Sequence, residues 1–244
     1  MIYSVQKTMN ILNQLSSAGE NGLNLADIAK QTGINKSTCS HILKTLETEN
    51  FVEQPLNSRR WRIGYGTYYL TRYGKYNQEL CDISHSVLKW LTKHTGCTSV
   101  LCVLRTGKRI CIDYVVGDVS LESGNIIVEN LFNASSGRVL LANLPTWELK
   151  DIIDKYGFPS SEDWNLKSYE ELTSKLKTIR EQKYSEHSRI NGNTVSYGYS
   201  VPIISNKRCI AALGLASFKE LDIDNIKYLK SAATEISRRL NFKP

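Results

Sequence analysis

The stretch that decides the fold is LADIAKQTGINKSTCSHILKTL, residues 25–46. Ala29 is small enough for two helices to cross closely, and Gly33, four positions later, tolerates the positive φ of a tight turn. Apolar residues flank both positions at helical spacing. The pattern predicts a helix over about 25–31, a turn, and a second helix over about 36–49, which is the arrangement of a helix–turn–helix.

The second of these helices carries polar and basic side chains at its exposed positions. A helix that stands out from a small domain fits the major groove of DNA, which is about 12 Å wide. Hydroxyl, amide and cationic side chains there reach base edges and phosphates. A predicted hairpin between β-like runs at 51–53 and 61–63 adds two arginines at its tip, 57–60, where they would meet phosphates or a minor groove. The candidate DNA-binding residues are Asn35, Lys36, Ser37, Thr38, Ser40, His41, Lys44, Arg59 and Arg60.

Charge weakly favours this interpretation over a plain helical hairpin with a solvated basic face. Residues 1–78 hold 9 Lys and Arg against 5 Asp and Glu, a net charge of +4. The rest of the chain holds 22 against 19, a net charge of +3, within a total of 244 residues and a net charge of +7. The smaller N-terminal part is therefore more basic per residue, and a basic surface favours an acidic partner.

Hydrophobic periodicity divides the chain into a DNA-binding part over 1–64, a connecting part over 65–78 and a larger part over 79–244. The connecting part is polar, rich in tyrosine and free of proline, which predicts a linker helix that also serves a dimer contact. The larger part is predicted to be an α/β domain around a mainly antiparallel sheet, so the fold class of the chain is α+β. Its predicted elements are a helix over 82–94, strands at 99–105, 109–116 and 126–128, a short helix over 138–144, a helix from the Ser168 cap to 182, strands at 199–204 and 209–218, and a final helix from Asp222.

Several protein classes are disfavoured by composition. The longest apolar runs, such as Ile210–Ala216, fall short of the roughly 18 residues that a membrane span needs. The N-terminus lacks the apolar core and cleavage site of a signal peptide, so we expect a cytoplasmic protein without a membrane partner. The six cysteines form no CxxC pair and are expected to be reduced. We expect no metal and no cofactor, because the cluster of His94, Cys97, Cys102 and Cys111 fits no zinc spacing.

Taken together, these motifs resemble the IclR family of bacterial transcription regulators. The resemblance implies an N-terminal winged helix–turn–helix, a linker helix and a C-terminal GAF-like domain that binds a small-molecule effector. It also implies dimers or tetramers on palindromic double-stranded operator DNA, and repression more often than activation. The family often has arginine where this chain has His41, so operator preference is not carried over. The matching segments are SVQKTMNILNQLS (4–16), LADIAKQTGINKSTCSHILKTLETENFVEQ (25–54), WRIG (61–64), NASSGRVLLANL (133–144) and VPIISNKRCIAALGLASF (201–218).

The start of the predicted helix at 138–144 is the candidate effector site. Free backbone amides and the serine hydroxyls there favour an anion such as a carboxylate, although ordinary N-capping by Ser136 is the alternative. Relatives that bind small oxoacids carry an acidic residue, a cysteine and two serines at positions where this chain departs from the pattern. We therefore expect a larger aromatic or sugar-derived acid, with room beside Tyr197 and Tyr199. The candidate effector-binding residues are Ser135, Ser136, Gly137, His187, Gly198, Tyr199, Gly214 and Ala216.

Three other functions stay open from the sequence. The first is a regulator of this fold with a degenerate pocket and no effector. The second is a small-molecule hydrolase that would pair Ser135 or Ser136 with His187. The third is an interaction module that does not bind DNA. The chain carries no GxSxG, P-loop, GxGxxG or HExxH motif, so we expect no enzyme and no catalytic residues.

Overall fold

The computed structural model describes residues 1–55, 58–71, 77–118, 127–128, 131–160, 164–191 and 194–242. The chain forms two compact units, Met1–Tyr76 and Asn77–Pro244. The boundary between them falls inside the segment predicted to connect two domains.

The N-terminal unit is a winged helix. Strand β3 (Arg60–Ile63) lies between β1 (Leu23–Asn24) and β2 (Val52–Glu53) and pairs antiparallel with both, so the sheet order is β1-β3-β2. One apolar cluster joins the helices to this small sheet, with Ile11, Leu15, Ile28 and Leu43 at its centre. The elements are α1 (Tyr3–Ala18), β1 (Leu23–Asn24), α2 (Leu25–Thr32), α3 (Lys36–Thr48), β2 (Val52–Glu53), β3 (Arg60–Ile63) and α4 (Gly66–Thr71).

Local side-chain chemistry fixes the helix–turn–helix. The side chain of Asn24 accepts a hydrogen bond from Asp27 N across 2.9 Å and so caps α2. Gly33 ends that helix with φ +68°, the left-handed conformation that glycine adopts without strain. Asn35 then caps α3 by accepting from Thr38 N across 2.8 Å. These three residues place both helices within one residue of the predicted bounds.

The elements of the C-terminal unit are α5 (Gln78–Thr95), β4 (Thr98–Arg105), β5 (Lys108–Val115), β6 (Ile127–Val128), α6 (Ser135–Ala142), α7 (Thr146–Tyr156), α8 (Tyr169–Gln182), β7 (Ser185–Asn191), β8 (Thr194–Ser205), β9 (Arg208–Ser217) and α9 (Ile223–Asn241). The six strands form an antiparallel sheet with the order β6-β5-β4-β9-β8-β7. One face packs against α5 and α9 around Leu88, Leu213 and Ile236. The other face packs against α6 and α8 around Val139 and Leu172.

A β-bulge interrupts the pairing of β4 with β5. Leu101 is opposite Asp113 and Cys102 is opposite Cys111, which leaves Ile112 as an extra residue in β5. Asp113 consequently lies on the α5 side of the sheet, where its carboxylate is 2.9 Å from His85 Nδ1. The bulge thus changes which side chains of β5 face α6.

The structure corrects several sequence predictions. The predicted linker helix over 65–78 is not continuous, because Asn77 has φ +56° and α5 begins only after it. The short helix predicted over 138–144 begins earlier, at Ser135. Strand β7 and helix α7 were not predicted at all. Asn57 in the predicted hairpin tip, and residues 72–76 of the predicted linker, lie outside the described residues.

Candidate DNA-binding surface and effector site

Helix α3 presents its candidate residues away from the domain core. Its buried side is made by Cys39, Leu43 and Leu46. Asn35 differs from the others, because its side-chain oxygen already accepts the capping hydrogen bond from Thr38 N and therefore positions the helix. The residues that are exposed or half-buried around this cap and along the outer side are Asn35, Lys36, Ser37, Thr38, Ser40, His41 and Lys44.

Strand β3 and the residue before it add three arginines that differ in their surroundings. Arg59 and Arg60 are exposed, and Arg60 makes one long hydrogen bond, 3.4 Å from Nη1 to the carbonyl of Asn21. Arg62, which sequence reasoning did not single out, lies between two carboxylates, 2.6 Å from Glu53 and 2.8 Å from Glu20. Hydrogen bonding to Glu53 raises the pKa of Arg62 further above its usual value. Arg62 therefore holds the hairpin together, whereas Arg59 and Arg60 face solvent.

The start of α6 is buried, and its serines do not cap it. The capping position is Ala134, which contributes no side-chain hydrogen bond, so the alternative of N-capping by Ser136 is wrong. Ser135 Oγ lies 2.9 Å from Ser200 Oγ on β8. Ser136 Oγ instead accepts a 3.4 Å hydrogen bond from Arg109 Nη1 on β5. The two serines thus point to different parts of the sheet.

The glycines beneath α6 make room for serine hydroxyls rather than for a ligand. A methyl group added at Gly198 would come within 3.0 Å of Ser135 Oγ, and one added at Gly214 within 2.7 Å of Ser200 Oγ. Gly137 is close-packed in the same way, because a Cβ there would lie 2.1 Å from the carbonyl oxygen of Leu131. The expectation that small residues leave extra room here is corrected.

The remaining candidate residues fall on both sides of the sheet. His187 is opposite Gly198 in the pairing of β7 with β8, and its Nε2 is 3.0 Å from Asn133 Oδ1. Ala216 is half-buried opposite Gly198 on β9. Tyr199 belongs to the cluster that packs against α5 and α9, and burial raises its pKa. Tyr199 therefore does not share a face with Gly198, and neither Ser135 nor Ser136 hydrogen-bonds His187 in the described structure.

A cavity of about 290 Å³ lies beside β7, the edge strand of the sheet. This volume is at the lower end of the range usual for small-molecule sites. Arg138 supplies positive charge to the cavity, whereas Glu186 and Glu220 supply negative charge. None of the three was among the candidate effector-binding residues. The lining residues are Arg138, Glu186, His187, Ser188, Tyr197, Tyr199 and Glu220.

Contacts with other described residues hold Arg138 in place. Its Nε donates to the carbonyl of Phe132 across 2.8 Å, and Nη1 donates to the carbonyl of Glu186 across 3.3 Å. Its guanidinium also lies 4.3 Å from the ring centroid of Trp164, which is cation–π distance. Because these contacts already fix the guanidinium at the cavity wall, its contact with an anionic ligand would cost little further side-chain freedom.

The described residues contain no group of three or more His, Cys, Asp and Glu residues placed to hold a metal ion. Within that same part of the chain, no helix combines the length and apolar character needed to cross a bilayer.

Comparisons with known proteins relate both units to one family. Residues 4–55 match the IclR helix-turn-helix domain. The chain is 28% identical over 253 aligned positions to the HTH-type transcriptional regulator XynR of Escherichia coli K12, covering 99% of this chain and 98% of that protein.

Solved structures share the fold over nearly the whole length. The IclR protein of Thermotoga maritima is 24% identical, with a TM-score of 0.71 over 99% of this chain and 100% of that chain. An IclR homologue from Microbacterium hydrocarbonoxydans, complexed with 4-hydroxybenzoate, is 17% identical, with a TM-score of 0.73 over 97% of this chain and 98% of that chain.

Proposed function

This chain belongs to the IclR family of DNA-binding transcription regulators, and from this premise we propose that a small effector bound by its C-terminal unit changes how its N-terminal unit binds operator DNA. The DNA-binding part of this proposal is supported by the polar, exposed side of α3. The Asn35 cap fixes the start of this helix, and its opposite side is apolar and buried. In this proposal α3 enters the major groove, and Arg59 and Arg60 contact phosphates.

We further propose that the protein acts in the cytoplasm as a homo-oligomeric repressor. Two copies would read a palindromic operator whose half-sites lie about one helical turn, or a multiple of it, apart. An effector that binds one arrangement of the oligomer more tightly would shift the population toward it. A coupling of about 1–3 kcal/mol would change operator occupancy by about 5–150-fold.

The DNA-binding half is tested by fluorescence anisotropy on DNA from upstream of the protein's own gene and on scrambled DNA of the same length, at two salt concentrations. We expect tighter binding to the upstream DNA, and a loss of affinity on both DNAs as salt rises. Absence of binding to either DNA at low salt would contradict a DNA-binding role for the helix–turn–helix.

The effector is proposed to be a carboxylic acid that also carries hydroxyl groups. Arg138 at the cavity wall supports the carboxylate, while Glu186, Glu220 and the phenol of Tyr197 suit hydroxyl groups. The Microbacterium hydrocarbonoxydans relative is complexed with 4-hydroxybenzoate, which joins the same two groups. The amide groups at the start of α6, beside Ser135, Ser136 and Gly137, favour the same sign of charge.

Isothermal titration calorimetry with a panel of acids tests this assignment. The panel contains a uronic acid, an aldonic acid, 4-hydroxybenzoate, pyruvate and glyoxylate. We expect a hydroxylated acid to bind and Glu220→Gln, at an exposed position of the wall, to weaken it; the matched control is Glu181→Gln on α8. Binding of only pyruvate or glyoxylate would contradict the assignment, and binding of none would favour a degenerate pocket.

A further inference from the structure

Two cysteines from neighbouring strands face each other beneath the start of α6. Cys102 on β4 is directly opposite Cys111 on β5, and both side chains belong to the cluster on the α6 side of the sheet. Cys102 is completely buried and Cys111 is 8% exposed. Residues opposite each other in an antiparallel pair have Cα atoms about 4.5–5.5 Å apart, which falls within the range that a disulfide spans.

A guanidinium completes this cluster. Arg109 Nη1 donates to Cys102 Sγ across 2.9 Å and to Ser136 Oγ across 3.4 Å. The Nε atom of Arg109 is buried and has no hydrogen-bond partner among the described residues. Cys102 thus lies between a thiol and a cation, in a site that continues to the first turn of α6.

These neighbours shift the pKa values of the two thiols in opposite directions. Hydrogen bonding from Cys111 lowers the pKa of Cys102 below its usual value, and the charge of Arg109 and the hydroxyl of Ser136 act in the same direction against burial. The same pairing raises the pKa of Cys111, and burial adds to that effect. Of the two thiols, Cys102 is therefore the more acidic, which fits the division of roles between an attacking and a resolving cysteine.

The other cysteines provide an internal contrast. All six cysteines are free thiols. Burial raises the pKa of the remaining four, in the case of Cys209 to about 11. A metal site does not explain the pair, because no third ligand accompanies it in the described part of the chain.

We propose that Cys102 and Cys111 are a redox modification site, at which a hydroperoxide converts the two thiols into a disulfide that a dithiol reductant reverses. The Cys102 thiolate attacks one oxygen of hydrogen peroxide, the O–O bond breaks, and the hydroxide released is protonated to water. Cys111 then loses its proton and attacks the sulfenic acid sulfur, and the displaced hydroxide leaves with a proton as a second water. Two thiols and one peroxide thus give one disulfide and two waters.

Burial restricts the oxidant to a small molecule. Both sulfurs lie under α6, so the proposal limits the oxidant to a molecule as small as hydrogen peroxide, and Cys102 is not expected to attack a disulfide as large as oxidised glutathione without local unfolding. Disulfide formation removes the thiolate and leaves Arg109 without its anionic partner next to Ser136.

Peptide mapping of the full-length reduced protein tests the site directly. The protein is treated with one equivalent of hydrogen peroxide at pH 7, quenched with N-ethylmaleimide and digested with trypsin. Cleavage after Arg105 and Arg109 separates the two cysteines, so the disulfide appears as a linked pair of peptides, and fragmentation distinguishes Cys102 from Cys97. We expect this link, with Cys102 oxidised at least about tenfold faster than Cys209.

Variants distinguish the proposed chemistry from simple packing. Cys111→Ser should stop the reaction at a Cys102 sulfenic acid that dimedone traps. Arg109→Gln should move the pH midpoint of the oxidation rate upward, because Arg109 lowers the pKa of Cys102, whereas the matched change Arg105→Gln, at an exposed position, should not. An unshifted midpoint in Arg109→Gln, equal oxidation of Cys102 and Cys209, or reaction with oxidised glutathione as fast as with peroxide would each overturn the proposal.

Discussion

At the scale of single residues, the α6 side of the sheet is filled by a short chain of hydroxyls and glycines. Ser135 and Ser200 hydrogen-bond each other, and Gly198 and Gly214 leave the space that their oxygens occupy. The sequence alone suggested an open pocket at these glycines. The close approach of these glycines to the serine oxygens shows that a small residue in a sheet can make space for a neighbouring side chain.

This packing predicts that Gly214→Ala destabilises the protein by about 1–3 kcal/mol, since its methyl group would lie 2.7 Å from Ser200 Oγ and 3.1 Å from Tyr199 O. Urea unfolding measures the free energy. Ser200→Ala is the matched partner, because it removes the hydroxyl that the new methyl group meets. The double variant should lose less stability than the two single losses combined, and strict additivity would contradict the account.

The exposed position of Arg60 on the hairpin predicts that its side chain contacts a DNA phosphate. Arg60→Ala should weaken binding to all DNA sequences alike and reduce the slope of log affinity against log salt by about one, because one phosphate contact is lost. Anisotropy titrations at several salt concentrations measure the slope. Arg105→Ala in the C-terminal unit is the control and should leave it unchanged. Loss of sequence preference in Arg60→Ala would instead assign Arg60 to base contact.

At the scale of elements, local chemistry accounts for what the sequence could predict. The Asn24 and Asn35 caps and Gly33 act within a few residues of chain, and both helices of the helix–turn–helix were predicted correctly from Gly33 and the apolar spacing of the same stretch. Strand β7 was missed because SEHSRIN has no apolar alternation, which an edge strand paired on one side does not need. Its position depends on partners far away in the chain.

The opposite orientations of Gly198 and Tyr199 could have been deduced. Adjacent residues of a strand point to opposite faces, so these two could not line one pocket on the same side of β8. Arg138 could not have been deduced, because its place at the cavity depends on Phe132, Glu186 and Trp164 meeting in space.

Helix α9 carries a pH-dependent contribution to stability. Hydrogen bonds from Arg238 and Arg239 lower the pKa of Glu235 from 4.5 to about 2. A carboxyl group with a lowered folded-state pKa stabilises the protein above its unfolded pKa, and this contribution is lost as the pH falls toward the folded value. Glu235→Gln should therefore lower the melting temperature at pH 7.

The same difference in melting temperature should shrink steadily once the pH falls below about 4.5. Scanning calorimetry of both proteins between pH 7 and pH 3 measures it. Glu181→Gln, which breaks a longer 3.9 Å ion pair on α8, is the control and should show a smaller difference throughout. A difference for Glu235→Gln that stays constant across this range would contradict the assignment.

At the scale of the whole molecule, effector binding by one unit must be thermodynamically coupled to operator binding by the other for the protein to respond to an effector. Thermodynamic linkage requires that an effector which weakens operator binding by a given factor is itself bound more weakly by that factor on the operator complex. Anisotropy with saturating effector and calorimetry with saturating operator measure the two factors. We expect agreement between them within the 5–150-fold range, and a clear disagreement would mean that the effector acts on assembly as well.

The bulge at Ile112 has one more consequence, which concerns the order of residues in β5. Arg109, Cys111 and Asp113 alternate in the sequence, so in a regular strand all three would face α6 and the carboxylate would compete with the thiolate for the guanidinium. The single surplus residue turns Asp113 to the opposite side, toward His85. An irregularity of one residue thus keeps an acid–base pair and a sulfur–guanidinium pair apart on the two surfaces of one strand.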